Sequence, residues 1–390
     1  MHGVGQALLL AFSMFWDVLW PLALGFLLSA IIQTLVSTKT VAALLGSDSA
    51  GGVFRASLFG AASSSCSYAA VAVARTLFRK GATFTNAMIF EFASTNLVFE
   101  LGLGLLILLG WQFLAAEFAG GILMIVILAL LFQLTLRSTL VMGARRQAER
   151  GIAGRMEGHA GMDMALTEGP FSRRLFSGPA FTTISHYFYM DLASLHTDLA
   201  LGFLIAGALA AWAPATFRNG LFLSGHPQLA RVWDPLIGPV ISLLSFVCSV
   251  GNVPLAAVLW NGGISFGGVI SFIFADLIIL PILDIYRKYY GGRTSLYLLL
   301  VSYAAMALAG FLIALLFSLL GLTPPHTAVA VLEAHPAWNL TTLLDGLALL
   351  LVAILAWRFL STGGPAMLRM MRRPATPESH TAMDRAHHHM

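Results

Sequence analysis

Seven apolar stretches, at about 7–36, 83–109, 112–137, 185–212, 265–286, 295–321 and 340–361, are each long enough to cross a bilayer as a helix. A hydrocarbon core about 30 Å thick takes roughly 20 helical residues at about 1.5 Å rise per residue. No water-soluble fold of this size hides so much apolar surface. The composition agrees: 58% of the 390 residues are hydrophobic and 10% are charged, against about 25% charged in soluble domains, and mean hydropathy is +0.83. The runs are continuous rather than alternating, which excludes a transmembrane β-barrel and leaves an all-α integral membrane protein. The first run has no Lys or Arg before it, so it reads as a membrane helix rather than a secretory signal.

Two further regions, 52–80 and 235–262, are apolar but interrupted near their middles by polar and small residues, and they read as helix, break, helix. A hydrophilic stretch follows the third run and carries Arg145, Arg146, Arg150, Arg155, Arg173 and Arg174. It reads as a mobile linker. The expected organisation is a first transmembrane repeat over 1–137, a cytoplasmic linker over 138–184, a second repeat over 185–321, an extra span within 322–361 and a disordered cytoplasmic tail over 362–390.

The repeat rests on self-similarity. LALGFL occurs at 22–27 and again 177 positions later at 199–204. Cys66 and Ser67 match Cys248 and Ser249 at an offset of 182, which also pairs Gly81 with Gly263, Phe90 with Phe272 and Ala93 with Ala275. Net charge is +4, and because the Lys and Arg lie in loops beside spans they report topology rather than a nucleic-acid partner. Placing the basic flanks in the cytoplasm puts the C-terminus inside, the N-terminus outside, and makes each interrupted region enter and leave by one face. The fold class expected is therefore two inverted-topology repeats, each with a re-entrant helical hairpin, giving about seven full spans plus two hairpins in the cell (inner) membrane. Inverted repeats with discontinuous helices are the architecture of many secondary transporters, because freed backbone groups are tolerated only around a cavity.

Candidate site residues follow from the two interruptions. The first reads Ser63, Ser64, Ser65, Cys66, Ser67, Tyr68, and its hydroxyls satisfy backbone groups freed by a break. In the second, Cys248, Ser249, Gly251, Asn252 and Pro254 combine a thiol, polar groups, a turn former and a helix starter. Half-helices opened at such breaks point positive ends inward, which suits an anionic or polarised solute. Paired thiols suit soft metals and trivalent metalloids; equally, each Cys reads as a small residue packing a tight tip. Ser65, Cys66, Ser67, Cys248, Ser249, Asn252 and Asn96 are thus the expected solute-binding set. Carboxylates inside spans cost some kcal/mol and are kept for transport or for pairing. Glu91 and Asp276 are the expected proton-coupling pair, with a structural partner as the competing role; Glu100 also stands out. There is no catalytic, nucleotide or metalloprotease signature, and so neither an enzyme nor a cofactor or resident metal is expected.

With these motifs in view, the chain resembles the predicted permease family that includes the trivalent organoarsenical efflux permeases, over about 15–320. The resemblance is carried by SSSCSYAAVAVARTLFRKGA and CSVGNVPLAAVLWNGGISFGGVISFIFADLIILPILDIYRKYYG. Tyr68 and Ala69 stand where that family commonly has a second Cys and a Gly. The resemblance implies a transport role with Cys66 and Cys248 at matched motif positions. The expected function is a secondary-transport permease for a small, thiol-reactive solute of metalloid or organoarsenical type, exporting it at the expense of a proton gradient. A membrane thiol-redox protein and a structural subunit of a membrane complex stay open as alternatives. The partners expected are the lipid bilayer, the solute and protons; a homo-oligomer is compatible with all of this.

Overall fold

The structure is a computed structural model; it describes residues 2–35, 42–63, 67–149, 164, 166, 174–212, 226–245, 249–325 and 340–372. Among these residues the regular structure is helical and no strand occurs. In chain order the helices are α1 (His2–Leu35), α2 (Ala50–Ser63), α3 (Ser67–Arg79), α4 (Phe84–Asn96), α5 (Phe99–Leu108), α6 (Trp111–Thr135), α7 (Ser138–Ala148) and α8 (Gly178–Trp212). Then come α9 (Pro227–Ser245), α10 (Ser249–Asn261), α11 (Phe266–Phe274), a 3-10 turn (Ala275–Leu277), α12 (Leu280–Tyr290), α13 (Gly292–Leu319), α14 (Leu340–Ser361) and α15 (Gly364–Arg372). Five stretches are long and apolar enough to cross a membrane: Phe84–Leu108, Trp111–Thr135, Phe266–Tyr290, Gly292–Leu319 and Thr342–Ser361. The expected spans 7–36 and 185–212 fall on α1 and α8, helices of 34 and 35 residues.

Every residue of α4 and of α11 is buried. A helix that is apolar on all sides is stable only when neighbours surround it, and α2, α3 and α6 pack on α4 as α9, α10 and α13 pack on α11. Both central helices start alike. Gly81 (φ 115°) and Gly263 (φ 98°) turn the chain through the left-handed region that glycine alone enters without steric cost. Thr83 and Ser265 then cap the helices, accepting bonds from the amides of Asn86 and Gly268. The starts of α2 and α9 return to these points: Asn86 Nδ2 donates to the Leu45 and Ser47 carbonyls, and the Ser265 amide donates to Asp234 Oδ2. Gly52 faces Asn86 while Gly60 packs against Phe90, Ala93 and Ser94, so α2 runs parallel to α4.

Two pairs of long helices lie side by side and antiparallel. Phe15 meets Phe203 and Phe26 meets Phe188 edge to face, while Gly207 packs on Ala7 and Ala11, so α1 and α8 run in opposite directions. On α6 and α13, Gly120 approaches Ile313 and Phe132 stacks on Tyr297, whose hydroxyl lies 2.8 Å from Thr135 Oγ1. Small residues at these contacts permit the close backbone approach that packing inside a membrane requires.

The structure adds detail to three expected stretches. The spans 83–109 and 265–286 are each interrupted: the first breaks between Asn96 and Phe99 and the second between Phe274 and Leu280. The stretch 138–184 contains α7 and the first turns of α8. Buried Arg75 donates to the Ala148 carbonyl and lies 4.2 Å from the Tyr289 ring centre, and Arg145 donates to the Phe78 and Ala82 carbonyls, so two cations pin α7 to the end of α3. The tail continues as helix through Arg372. The extra helix α14 is bolted to α1 and α8 by polar contacts: Asp345 accepts from the Trp20 amide, Ser185 donates to the Leu355 carbonyl, and His186 Nε2 lies 2.8 Å from Thr362 Oγ1.

Candidate functional site

The two breaks have local causes. In α4, Ser94 Oγ donates to the Glu91 carbonyl, and Thr95 Oγ1 and Asn96 Nδ2 both turn back to the Phe92 carbonyl. Such local bonds compete with the helical ladder. Val98, in an extended conformation (φ −108°, ψ 145°), then restarts the chain as α5. In the second half, the 3-10 turn tightens the end of α11, extended Ile279 follows, and Pro281 occupies the first turn of α12. Proline lacks an N–H and clashes with a preceding turn, so it fits a helix start and opposes continuation from α11.

At these breaks the halves are joined by side chains. Asp276, in the 3-10 turn, is fully buried; it accepts from Ser67 Oγ at 2.8 Å and from Asn96 Nδ2 at 3.4 Å. Ser67 is the first residue of α3, so the positive end of that helix faces the carboxylate. Glu91, buried in α4, accepts from the Tyr286 hydroxyl of α12, again across the halves. Charge-assisted bonds of this kind are the strong members of their class. The chain thus places two acids, a serine, an asparagine and a tyrosine where two broken spans and the start of α3 meet.

Of the nine expected site residues, Ser67, Asn96 and Asp276 come together, and Glu91 is tied to the same region through α12. Asn252 is buried in α10 and donates to Ser242 Oγ at 3.3 Å, leaving its Oδ1 without a partner among the described residues. Ser249 begins α10. Ser65, Cys66 and Cys248 lie outside the described residues. Two residues were missed in the sequence. Tyr286 gives no signal by itself, because an aromatic in a span usually packs. Glu117, fully buried on α6, was visible as an acid inside an apolar run. A cavity of about 390 Å³ opens by Arg231, Trp260, Phe311 and Thr323, and none of the expected site residues lines it.

Two comparisons with known proteins match most of the chain. The family model ArsP_1, described as a predicted permease, matches residues 4–315. A protein of Mycobacterium tuberculosis (strain ATCC 25618 / H37Rv) named "Putative permease Rv2963" is 56% identical over 347 residues, covering 88% of this chain and 86% of the relative. No solved structure matches the chain significantly. A match over most of the chain, with a relative of this identity across nearly its full length, shows that the chain belongs to the predicted permease family of membrane transporters.

Proposed function

We propose that this permease is a secondary transporter that exports a small, thiol-reactive solute of metalloid or organoarsenical type and couples export to protons. The observation that carries the reading is the bond from Ser67 and Asn96 of the first half to Asp276 of the second, made where two spans are broken. Broken helices expose polar backbone that hydrocarbon does not tolerate, and transporters use such places to bind solute and coupling ions. Protonation of Asp276 weakens the bonds it accepts and releases Ser67 and Asn96 to the solute. Ser65, Cys66, Cys248, Ser249 and Asn252 complete the binding set in this scheme, with Glu91 beside Asp276 in proton coupling.

The repeats are inverted in this reading, supported by the antiparallel pairing of α1 with α8 and of α6 with α13. The return of α2 and α9 to the starts of α4 and α11 favours re-entrant hairpins. In this reading the chain lies in the inner membrane with its N-terminus outside and C-terminus in the cytoplasm, an orientation supported by the Lys and Arg of the loops.

Inside-out proteoliposomes given an inward-acid gradient and a panel of arsenite, antimonite, methylarsenite and phenylarsenite test the function. We expect at least one trivalent species to accumulate against its gradient, and Asp276→Asn to reduce that accumulation tenfold or more. A wild-type chain that moves none of the panel removes the solute class; accumulation indifferent to the pH gradient removes the coupling.

A further inference from the structure

Glu117 stands in α6 with no exposed surface, and neither of its carboxyl oxygens has a hydrogen-bond partner among the described residues. Leaving an ionised carboxylate unpaired in such surroundings costs several kcal/mol, a penalty the neutral acid avoids. Its direction is set by its own helix. Gly120 and Gly121, three and four positions on, share its face. A Cβ at Gly120 would lie 3.0 Å from the Phe274 ring, and one at Gly121 would lie 2.7 Å from Leu97 and 3.4 Å from the Asn96 carbonyl. The sequence Glu117, Phe118, Ala119, Gly120, Gly121 therefore presses α6 against both helix breaks and turns the acid towards the junction they form.

The ionisable groups on neighbouring elements narrow the interaction. Helix α11 has none, and α13 offers Arg293, Tyr297 and Tyr303. Arg293 is exposed, Tyr297 bonds Thr135, and the Tyr303 hydroxyl donates to the Leu236 carbonyl. Glu100 lies in the first turn of α5 and Glu91 in α4 is engaged with Tyr286. Asp276 lies two residues beyond Phe274, on which Gly120 packs, and accepts from Asn96, whose carbonyl Gly121 approaches, so the face of α6 that carries Glu117 meets the residues on both sides of Asp276. Two adjacent acids in one low-dielectric site do not both ionise, because like charges there repel strongly. Asp276 has donors in Ser67 and Asn96, whereas Glu117 has none among the described residues.

We propose that Glu117 is a proton-binding site: it holds the proton while Asp276 is the anion, and gives it up to Asp276 in the state of the transport cycle that brings the two carboxyls together. The proton leaves the Glu117 hydroxyl and lands on an Asp276 carboxyl oxygen, so the two acids exchange one negative charge. That transfer loosens the bonds from Ser67 and Asn96 and makes Glu117 the switch for the junction. The role in the cycle rests on the permease reading, but the proton on Glu117 does not.

Infrared difference spectra of the full chain in lipid, recorded through pH steps in H2O and D2O, test the site. A protonated-carboxyl band that shifts in D2O is expected in wild type, absent in Glu117→Gln and retained in Glu100→Gln. Should Glu117→Gln fail to fold, Glu117→Asp decides the matter, since the band must change frequency if it belongs to this side chain. In the same liposomes, pH-driven accumulation of phenylarsenite is expected to fall tenfold or more in Glu117→Gln. Spectra of wild type and Glu117→Gln that superimpose overturn the proton site, whatever happens to transport. A band lost in Glu117→Gln with no trivalent arsenical moved by wild type overturns the proposed solute class and upholds the proton site. Accumulation driven by a sodium gradient and indifferent to pH overturns the transfer from Glu117 to Asp276 in the transport cycle.

Discussion

Asp276 accepts hydrogen bonds from two residues of the other half, Ser67 at 2.8 Å and Asn96 at 3.4 Å. Removing the serine hydroxyl leaves part of a buried carboxylate unsolvated. Hydrogen bonds within membrane proteins average about 0.6 kcal/mol, but bonds to charged groups reach about 1.5–3 kcal/mol, and this acceptor is an acid. Ser67→Ala is therefore expected to destabilise the chain by about 1.5–3 kcal/mol in denaturant titrations in detergent, and Ser67→Thr to recover most of it. A Ser67→Ala variant as stable as wild type would show that the bond contributes nothing. Asp276 was legible in the sequence as an acid inside an apolar run. Its partners were legible only as types, because the pairing spans 209 and 180 residues of chain.

Elements here are shaped by what they must approach. Helix α6 reaches both breaks because Gly120 and Gly121 carry no side chain where Phe274 and Leu97 stand. Gly121→Leu would force α6 away from the first break, an overpacking that costs typically about 1–3 kcal/mol. Gly143 in α7, where an added Cβ would meet nothing within 4 Å, supplies the control. Gly143→Ala is expected to be neutral or stabilising by up to about 1 kcal/mol through helix propensity. Thermal unfolding of the two variants checks the contrast; equal effects would mean that the close approach of α6 to the break is not what the glycine provides. Pro281 fits a helix start, yet the break before it was not read because the residues from Leu277 to Leu283 are uniformly apolar. Hydropathy measures transfer to lipid and is blind to whether the backbone is continuous.

At the scale of the molecule, α6 and α13 form one of the long antiparallel contacts between the N-terminal and C-terminal parts of the chain. Thr135 Oγ1 and Tyr297 OH lie 2.8 Å apart near one end of that contact. If transport requires the halves to move against each other, joining them here must stop it. A Thr135→Cys, Tyr297→Cys double variant is expected to be joined by a bis-methanethiosulfonate linker, which replaces the reach of the lost tyrosine ring, to lose transport, and to regain it on reduction, with each single variant unaffected. Full transport in the cross-linked state would place the moving boundary elsewhere. Cysteine labelling from either side of the membrane, expected to find the N-terminus outside and the C-terminus inside, checks the charge-based orientation.

The apolar runs by themselves determined that this chain is a helical membrane protein, since a stretch of some 20 apolar residues has one low-energy place to be. Self-similarity marked equivalent positions such as Gly81 and Gly263, because turns and caps are local and repeat with the sequence. Only the tertiary structure decided that the spans 84–108 and 266–290 are themselves broken, that Ser67 and Asn96 meet Asp276, and that Glu117 is fully buried. Those facts depend on which faces of helices buried on all sides come together. Periodicity cannot encode that choice when no face is left to solvent; small residues and polar pairs make it by contact between segments far apart in the chain.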